Sequence, residues 1–240
     1  MKIVIAGAGA VGTHLAKLLV QENHDITLMD ADKERLSIVK DDSEVFTVIG
    51  NCTSLNDLND AGAAHADLFI GVTPEESKNM TSCMLASNLG AKKTLARIDN
   101  HEYLLPKNSS FFEQLGIHSM IYPELIAAKE IAMALKTPWT RFMWELCGGR
   151  IILAGAKVRE NAPIVNHYLK EIMQETKQFH IVSIKRGPVT LIPTGNDQVL
   201  PGDILYFTTL RKNMEVLPKL LGKSSFETKR IICMGGSRIT

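Results

Sequence analysis

The chain has 240 residues, 45% of them hydrophobic, which is enough for a real core in one large domain or two ordinary ones. Lys and Arg number 27 against 26 Asp and Glu, so the formal net charge of +1 sets up no overall field toward nucleic acid or anionic lipid. Cys52, Cys83, Cys147 and Cys233 form no C-x-x-C pair, which argues against a disulfide framework or structural zinc, and no signal h-region or run of about 18 apolar residues occurs, so a cytoplasmic location is expected.

Ile3, Val4, Ile5 and Ala6 read as a buried parallel strand, followed by Gly7-Ala8-Gly9-Ala10-Val11-Gly12 and a helix with Leu15, Leu18, Leu19 and Val20 on one face. Alone, G-x-G-x-x-G is a weak signal. Between the strand and helix of a β-α-β unit it reads as a nucleotide site: Gly7 for the tight turn, Gly9 for close approach of a pyrophosphate, Gly12 for closure of helix on sheet. The free N–H groups of the helix's first turn then face the phosphates. Asp30, at the end of the second strand, is placed to accept hydrogen bonds from an adenosine ribose diol, and its charge disfavours a 2'-phosphate, so NAD(H) or ATP fits better than NADP(H). The alternative role for Asp30 or Asp32 is to cap the next helix, expected over residues 31–39.

A third strand is expected over 45–49, with Gly50-Asn51-Cys52-Thr53 at its C-terminal end, the ligand edge of a parallel sheet. Leu55, Leu58 and Ala61 mark a helix, residues 66–73 a fourth strand, and Thr73-Pro74 the start of a helix whose core face includes Met80, Cys83, Met84 and Leu89. Residues 93–98 and 117–122 give the fifth and sixth strands. Arg97 sits near the end of the fifth, where its fork suits phosphate oxygens; the alternative is a salt bridge to Asp99 or Glu124. Six strands alternating with helices make residues 1–123 an α/β domain with a Rossmann-like doubly wound parallel sheet. The seven histidines are isolated, and Cys52 lacks a paired His, so neither catalytic residues nor a metal site is expected.

Residues 124–147 read as connecting and dimerisation helices. Leu125, Ile126, Ala128, Ile131, Ala132 and Leu135 give a wide apolar face suited to a partner subunit, and Trp139, Phe142, Met143 and Trp144 mark a helix corner or interface anchor after the break at Pro138. Residues 148–222 read as a second, smaller α+β domain. Its expected elements are a bent or bulged strand at 151–158, a helix over 165–172, strands over 179–185, 189–192 and 204–209, and a last helix over 213–221. Residues 229–240 echo the opening strand and Gly turn, placing Gly235 on Gly7 and Ser237 on Gly9, and read as the start of a truncated second Rossmann unit.

The Gly7-to-Gly12 loop, Asp30 with Asp32 and Arg35, Gly50-Asn51-Cys52-Thr53, Thr73 with Glu75, Glu76 and Asn79, Arg97, Tyr122-Pro123-Glu124, Pro193-Thr194-Gly195 and Pro201-Gly202-Asp203-Ile204 together resemble the peripheral subunit of Trk-type potassium uptake systems, a tandem protein of regulator-of-conductance (RCK, or KTN) units. The resemblance covers nearly the whole chain, as the N-terminal half of such a protein. It implies a nucleotide-sensing regulator that is not an enzyme, with NAD+ or NADH as cofactor and ATP or ADP possible at the same site. It further implies self-association into a dimer or ring, and attachment to the inner face of the plasma membrane through a potassium-translocating Trk-type subunit. By position, Gly7, Ala8, Gly9, Ala10, Val11 and Gly12 hold the phosphates and Asp30 the ribose. Asn51, Cys52 and Thr73, with Pro74 beside it, line the adenine and ribose side, and Arg97 reaches phosphate. Asn51 departs from the family's usual Asp, removing a charge beside the nucleotide. The alternatives are a small NAD-dependent oxidoreductase and a scaffold with a vestigial nucleotide site.

Overall fold

A computed structural model describes residues 1–40, 44–224 and 228–236. The chain divides into two compact units, Met1–Ile126 and Ala127–Thr240. In the first, β1 (Lys2–Ala6), α1 (Ala10–Gln21), β2 (Asp25–Asp30), α2 (Lys33–Lys40), β3 (Phe46–Ile49), α3 (Leu55–Asp60), β4 (Leu68–Gly71), α4 (Glu76–Leu89), β5 (Thr94–Arg97), α5 (Ser109–Gln114) and β6 (Ser119–Ile121) follow in order. All neighbouring strands pair in parallel, in the order β3-β2-β1-β4-β5-β6.

The unbroken apolar run of β1 has its explanation in the two faces of this sheet. Ile3 and Ile5 pack with Ile26, Leu28 and Ile70 on one face, and Val4 and Ala6 pack with Met29, Phe69 and Ala96 on the other. A parallel strand covered on both sides has no solvent face, so its side chains do not alternate in polarity. The strand order reverses between β1 and β4, and the C-terminal ends of β1 to β4 meet there.

α2 begins at Lys33, later than the sequence suggests, because Asp32 Oδ1 caps it, accepting from the Glu34 and Arg35 N–H groups at 2.9 and 3.4 Å. Ser54 caps α3 in the same way through the Asp57 N–H.

Helix α6 (Pro123–Lys136) bridges the division between the units, and none of its residues is buried. The second unit continues with β7 (Phe142–Leu146), β8 (Ile151–Lys157), α7 (Leu169–Glu175), β9 (Phe179–Arg186), β10 (Val189–Leu191), β11 (Ile204–Leu210) and α8 (Leu217–Leu220). Its sheet is antiparallel throughout, in the order β10-β9-β11-β8-β7. Ile152, Ala154, Ile184, Leu205 and Phe207 form its core with Leu169, Ile172 and Leu217 from the two helices.

Four local expectations are corrected. Residues 142–146 form an edge strand rather than a helix: Phe142 lies opposite Gly155 on β8, and a Cβ on Gly155 would meet the Phe142 ring at 2.3 Å, so the aromatic ring occupies the space that glycine leaves. β8 is one continuous strand paired along its length with β11. The helix expected over 165–172 starts only at Leu169, because Asn166 takes φ +63° and its N–H bonds the Val199 carbonyl, so residues 163–166 form turns rather than helix. The last helix is shorter, a 3-10 turn at Arg211–Asn213 and then α8, with Pro218 in the first turn of α8.

Residues 229–236 form no strand; a strand needs a pairing edge, and these residues join neither sheet. Gly235 nonetheless has φ +114°, close to the +112° of Gly7 on which the sequence echo places it. Ser237 and the rest of the echo lie outside the described residues.

Candidate functional site

At the reversal of strand order lies a cleft of about 220 Å³, lined by Gly7, Met29, Asp30, Ala31, Arg35, Gly50, Asn51, Cys52, Thr73, Pro74, Glu75 and Lys78. It gathers the ends of four strands. Gly7 follows β1, Asp30 ends β2, Gly50 to Cys52 follow β3, and Thr73 and Pro74 follow β4. Ligands of doubly wound sheets occupy this crevice.

Two glycines are sterically required. A Cβ on Gly12 would lie 1.8 Å from the Gly7 carbonyl oxygen, so α1 closes on the loop only because position 12 has no side chain. Gly7 has φ +112°, and a Cβ there would meet the Thr73 nitrogen at 2.9 Å. Gly9, by contrast, faces open space, and as the cap of α1 it places no side chain before the helix's first N–H groups. No acidic residue sits in that first turn, which leaves its positive dipole end open to an anion.

Asp30 is the hub of the loop. Its Oδ2 accepts the Ala8 N–H at 2.7 Å and its Oδ1 the Asp32 N–H at 2.9 Å. Each carboxylate oxygen has a second lone pair, so the side chain can accept further hydrogen bonds while it fixes the Gly loop. The capping role belongs to Asp32, and the two aspartates divide the work the sequence left open between them.

On the opposite wall, Asn51 Oδ1 accepts from the Thr53 N–H and hydroxyl at 3.0 and 2.9 Å, and the Asn51 N–H donates to Asp57 Oδ2 at 2.7 Å. These bonds set the turn after β3. Cys52 is buried in the wall, and burial pushes its thiol above the usual range, so it is a protonated contact surface rather than a nucleophile. The described residues contain no group of three or more His, Cys, Asp or Glu able to hold a metal ion.

The sequence-expected residues Gly7, Asp30, Asn51, Cys52, Thr73 and Pro74 thus line one cleft, with Ala8, Gly9, Ala10, Val11 and Gly12 forming the loop and first turn that follow Gly7. Arg97 is absent from the lining. Its Nη2 donates to Glu124 Oε1 at 2.7 Å in a half-buried ion pair, and Glu124 Oε2 has no hydrogen-bond partner.

Three charged residues not singled out as site residues by sequence also line the cleft: Arg35, Glu75 and Lys78. Arg35 Nε lies 3.3 Å from Asp32 Oδ2, and Lys78 Nζ donates to Glu75 Oε1 at 2.6 Å, which raises the Lys78 pKa. Their i, i+3 spacing signals the pairs but not the cleft. Behind the wall, Asn79 is 1% exposed and its side chain makes four hydrogen bonds. It accepts from the Thr73 N–H (2.7 Å) and hydroxyl (2.8 Å), and donates to the carbonyls of Thr73 (3.0 Å) and Arg97 (2.9 Å).

Comparison with known proteins agrees with this architecture. Residues 3–123 match the TrkA-N domain and residues 153–222 the TrkA-C domain. The Trk system potassium uptake protein TrkA of Haemophilus influenzae is 32% identical over 243 residues, covering 100% of this chain and 53% of that protein. The TrkA homolog of Archaeoglobus fulgidus is 30% identical over 239 residues with the same coverage. The chain therefore spans about half the length of the curated relatives it matches. A solved GsuK channel bound to NAD superposes with TM-score 0.65 at 16% identity, over 99% of this chain and 42% of that one, a likeness of fold.

Proposed function

The chain belongs to the TrkA family, with one TrkA-N and one TrkA-C domain, and from that premise we propose that it is a nucleotide-sensing regulator of a Trk-type potassium transporter rather than an enzyme. The single observation that supports the sensor reading most is the Asp30 arrangement. One carboxylate anchors the Gly loop through the Ala8 N–H and lies in the cleft where the ribose of NAD(H), ATP or ADP would sit. Nucleotide binding there is expected to tie the loop after β1 to the walls after β2, β3 and β4. A ligand shifts such a regulator only by its difference in affinity between two arrangements, so the regulated state is the one in which those four loop ends close on it.

In this reading the protein acts in the cytoplasm, self-associates as a dimer or ring, and docks on the potassium-translocating subunit at the inner face of the membrane. No helix among the described residues is long and apolar enough to cross a membrane itself.

Isothermal titration with NADH, NAD+, ATP and ADP tests the sensor. At least one is expected to bind at micromolar concentration, and Asp30→Ala is expected to weaken it at least tenfold, about 1.4 kcal/mol. Absence of binding by all four would overturn the reading. Nicotinamide oxidation coupled to a substrate would instead favour an oxidoreductase.

A further inference from the structure

The second unit holds a wider cleft, about 810 Å³, away from any residue that the nucleotide site uses. Trp139, Val158 and Pro201 give it apolar walls. Trp139 is buried there, and its ring stacks on Phe207 with a centroid distance of 6.3 Å and an interplanar angle of 4°.

Around these walls stand Arg141, Lys157, Arg159 and Lys223, with Glu160 as the one carboxylate of the lining. Among the described residues, none of the four cations lies within ion-pair distance of a carboxylate. The carboxylate next along the chain from the Pro201-Gly202 turn is already engaged: Asp203 is 1% exposed, takes two hydrogen bonds from Arg186, and accepts the Leu200 N–H. Lys223 is held in place by donating to the Trp139 carbonyl at 2.5 Å. Burial lowers its pKa, and Arg159, Arg141 and Lys157 lower it further, the response of a cation surrounded by like charges.

Gathering four cations about one concave surface, with Glu160 as the one carboxylate of its lining and no ion pair to any of the four among the described residues, costs the fold electrostatic energy, and an anion supplied from solution would recover it. The cleft volume falls in the range of small-molecule sites, whereas a flat basic patch would suit a polymer. Two guanidinium forks and two ammonium points match an oxyanion with several oxygens and at least two charges. We propose that this cleft is a second ligand site, taking a small phosphate-bearing molecule whose phosphate oxygens bond Arg141, Lys157, Arg159 and Lys223. The proposal is independent of the nucleotide reading of the first unit.

The protein has two tryptophans, so Trp144→Phe leaves Trp139 as the sole tryptophan, and selective excitation of tryptophan over the four tyrosines makes the cleft its own reporter. Trp144 is exposed, and its replacement leaves the core intact. Titrating this variant with pyrophosphate at constant ionic strength is expected to give a saturable change in Trp139 emission. Adding Arg141→Gln and Lys157→Gln, both exposed side chains, is expected to raise the half-saturating concentration at least tenfold without lowering Tm. Asp30→Ala is expected to leave it unchanged. A response that is absent at millimolar pyrophosphate, that chloride at the same ionic strength reproduces, that survives the double substitution, or that Asp30→Ala abolishes would overturn the proposal.

Discussion

Replacing Asn79 with Ala removes the clamp that joins the turn after β4 to the end of β5. The side chain is 1% exposed and supplies both acceptor bonds to Thr73 and both donor bonds to the carbonyls of Thr73 and Arg97. Truncation leaves the Thr73 N–H and the Arg97 carbonyl without this partner, and each such buried group costs about 1–3 kcal/mol. Thr73 lines the cleft, so water reaches part of the gap, and the net loss is expected near 3 kcal/mol. For a domain of this size that corresponds to a fall in Tm of about 10 °C. Nucleotide affinity is expected to fall at least tenfold as well, because Thr73 packs within 2.9 Å of the place a Gly7 side chain would occupy and so helps to shape the loop.

Scanning calorimetry and isothermal titration on the same samples separate the two effects. Asn79→Asp sharpens the test, since it keeps the acceptors, loses the donors and buries a charge. Burial would raise that carboxyl's pKa, so the variant should be least stable near neutral pH and recover relative to wild type as acid protonates it. A Tm loss under about 3 °C for Asn79→Ala, with nucleotide affinity unchanged, would refute the clamp.

Arg97→Met strands the mostly buried Glu124, whose Oε2 already lacks a partner, and is expected to cost about 2–4 kcal/mol; Arg97→Met with Glu124→Leu should recover most of it in urea unfolding. If Arg97 serves chiefly as this ion pair, the double variant keeps its nucleotide affinity within about threefold, about 0.7 kcal/mol, and a tenfold loss would instead assign it to phosphate. Asp67 is held below the usual carboxylate range, first by the hydrogen bond from Lys92 and then by the Lys2 N–H. A depressed carboxyl contributes stability that is present above its unfolded pKa and lost as pH falls through its folded one. The Tm gap between wild type and Asp67→Asn should therefore be open at neutral pH and close below about pH 4. Burial pushes the Cys83 thiol up to about 12 and raises Cys52 as well, so iodoacetamide at pH 8 should label exposed Cys147 and Cys233 in the folded protein and reach Cys52 and Cys83 only after denaturant, as read by mass spectrometry.

Much of the first unit was legible because its signals are local. A strand buried on both faces is an apolar run, a G-x-G-x-x-G turn follows from backbone sterics, and an acid ending the next strand lies one pairing register away. Six strands were expected and six are found, with ends differing by one or two residues. The second unit was harder, since whether residues 142–146 are helix or strand depends on β8, and Gly155, which makes room for Phe142, lies on that other strand. The start of α7 likewise depends on Val199, distant in sequence.

By itself, then, the sequence determined the doubly wound sheet, the α+β character of the second unit, the Gly loop and Asp30. Periodicity and steric demand act between neighbours along the chain, and they need no tertiary information. Only the tertiary structure decided that the Asp30 carboxylate carries the Ala8 N–H, that Asp32 takes the cap, that Arg97 spends a donor on Glu124, and that four scattered cations share one cleft in the second unit. Each of those depends on a charge or hydrogen bond finding its counterpart across a sheet edge, and a pairing made across space leaves no fixed spacing in the chain.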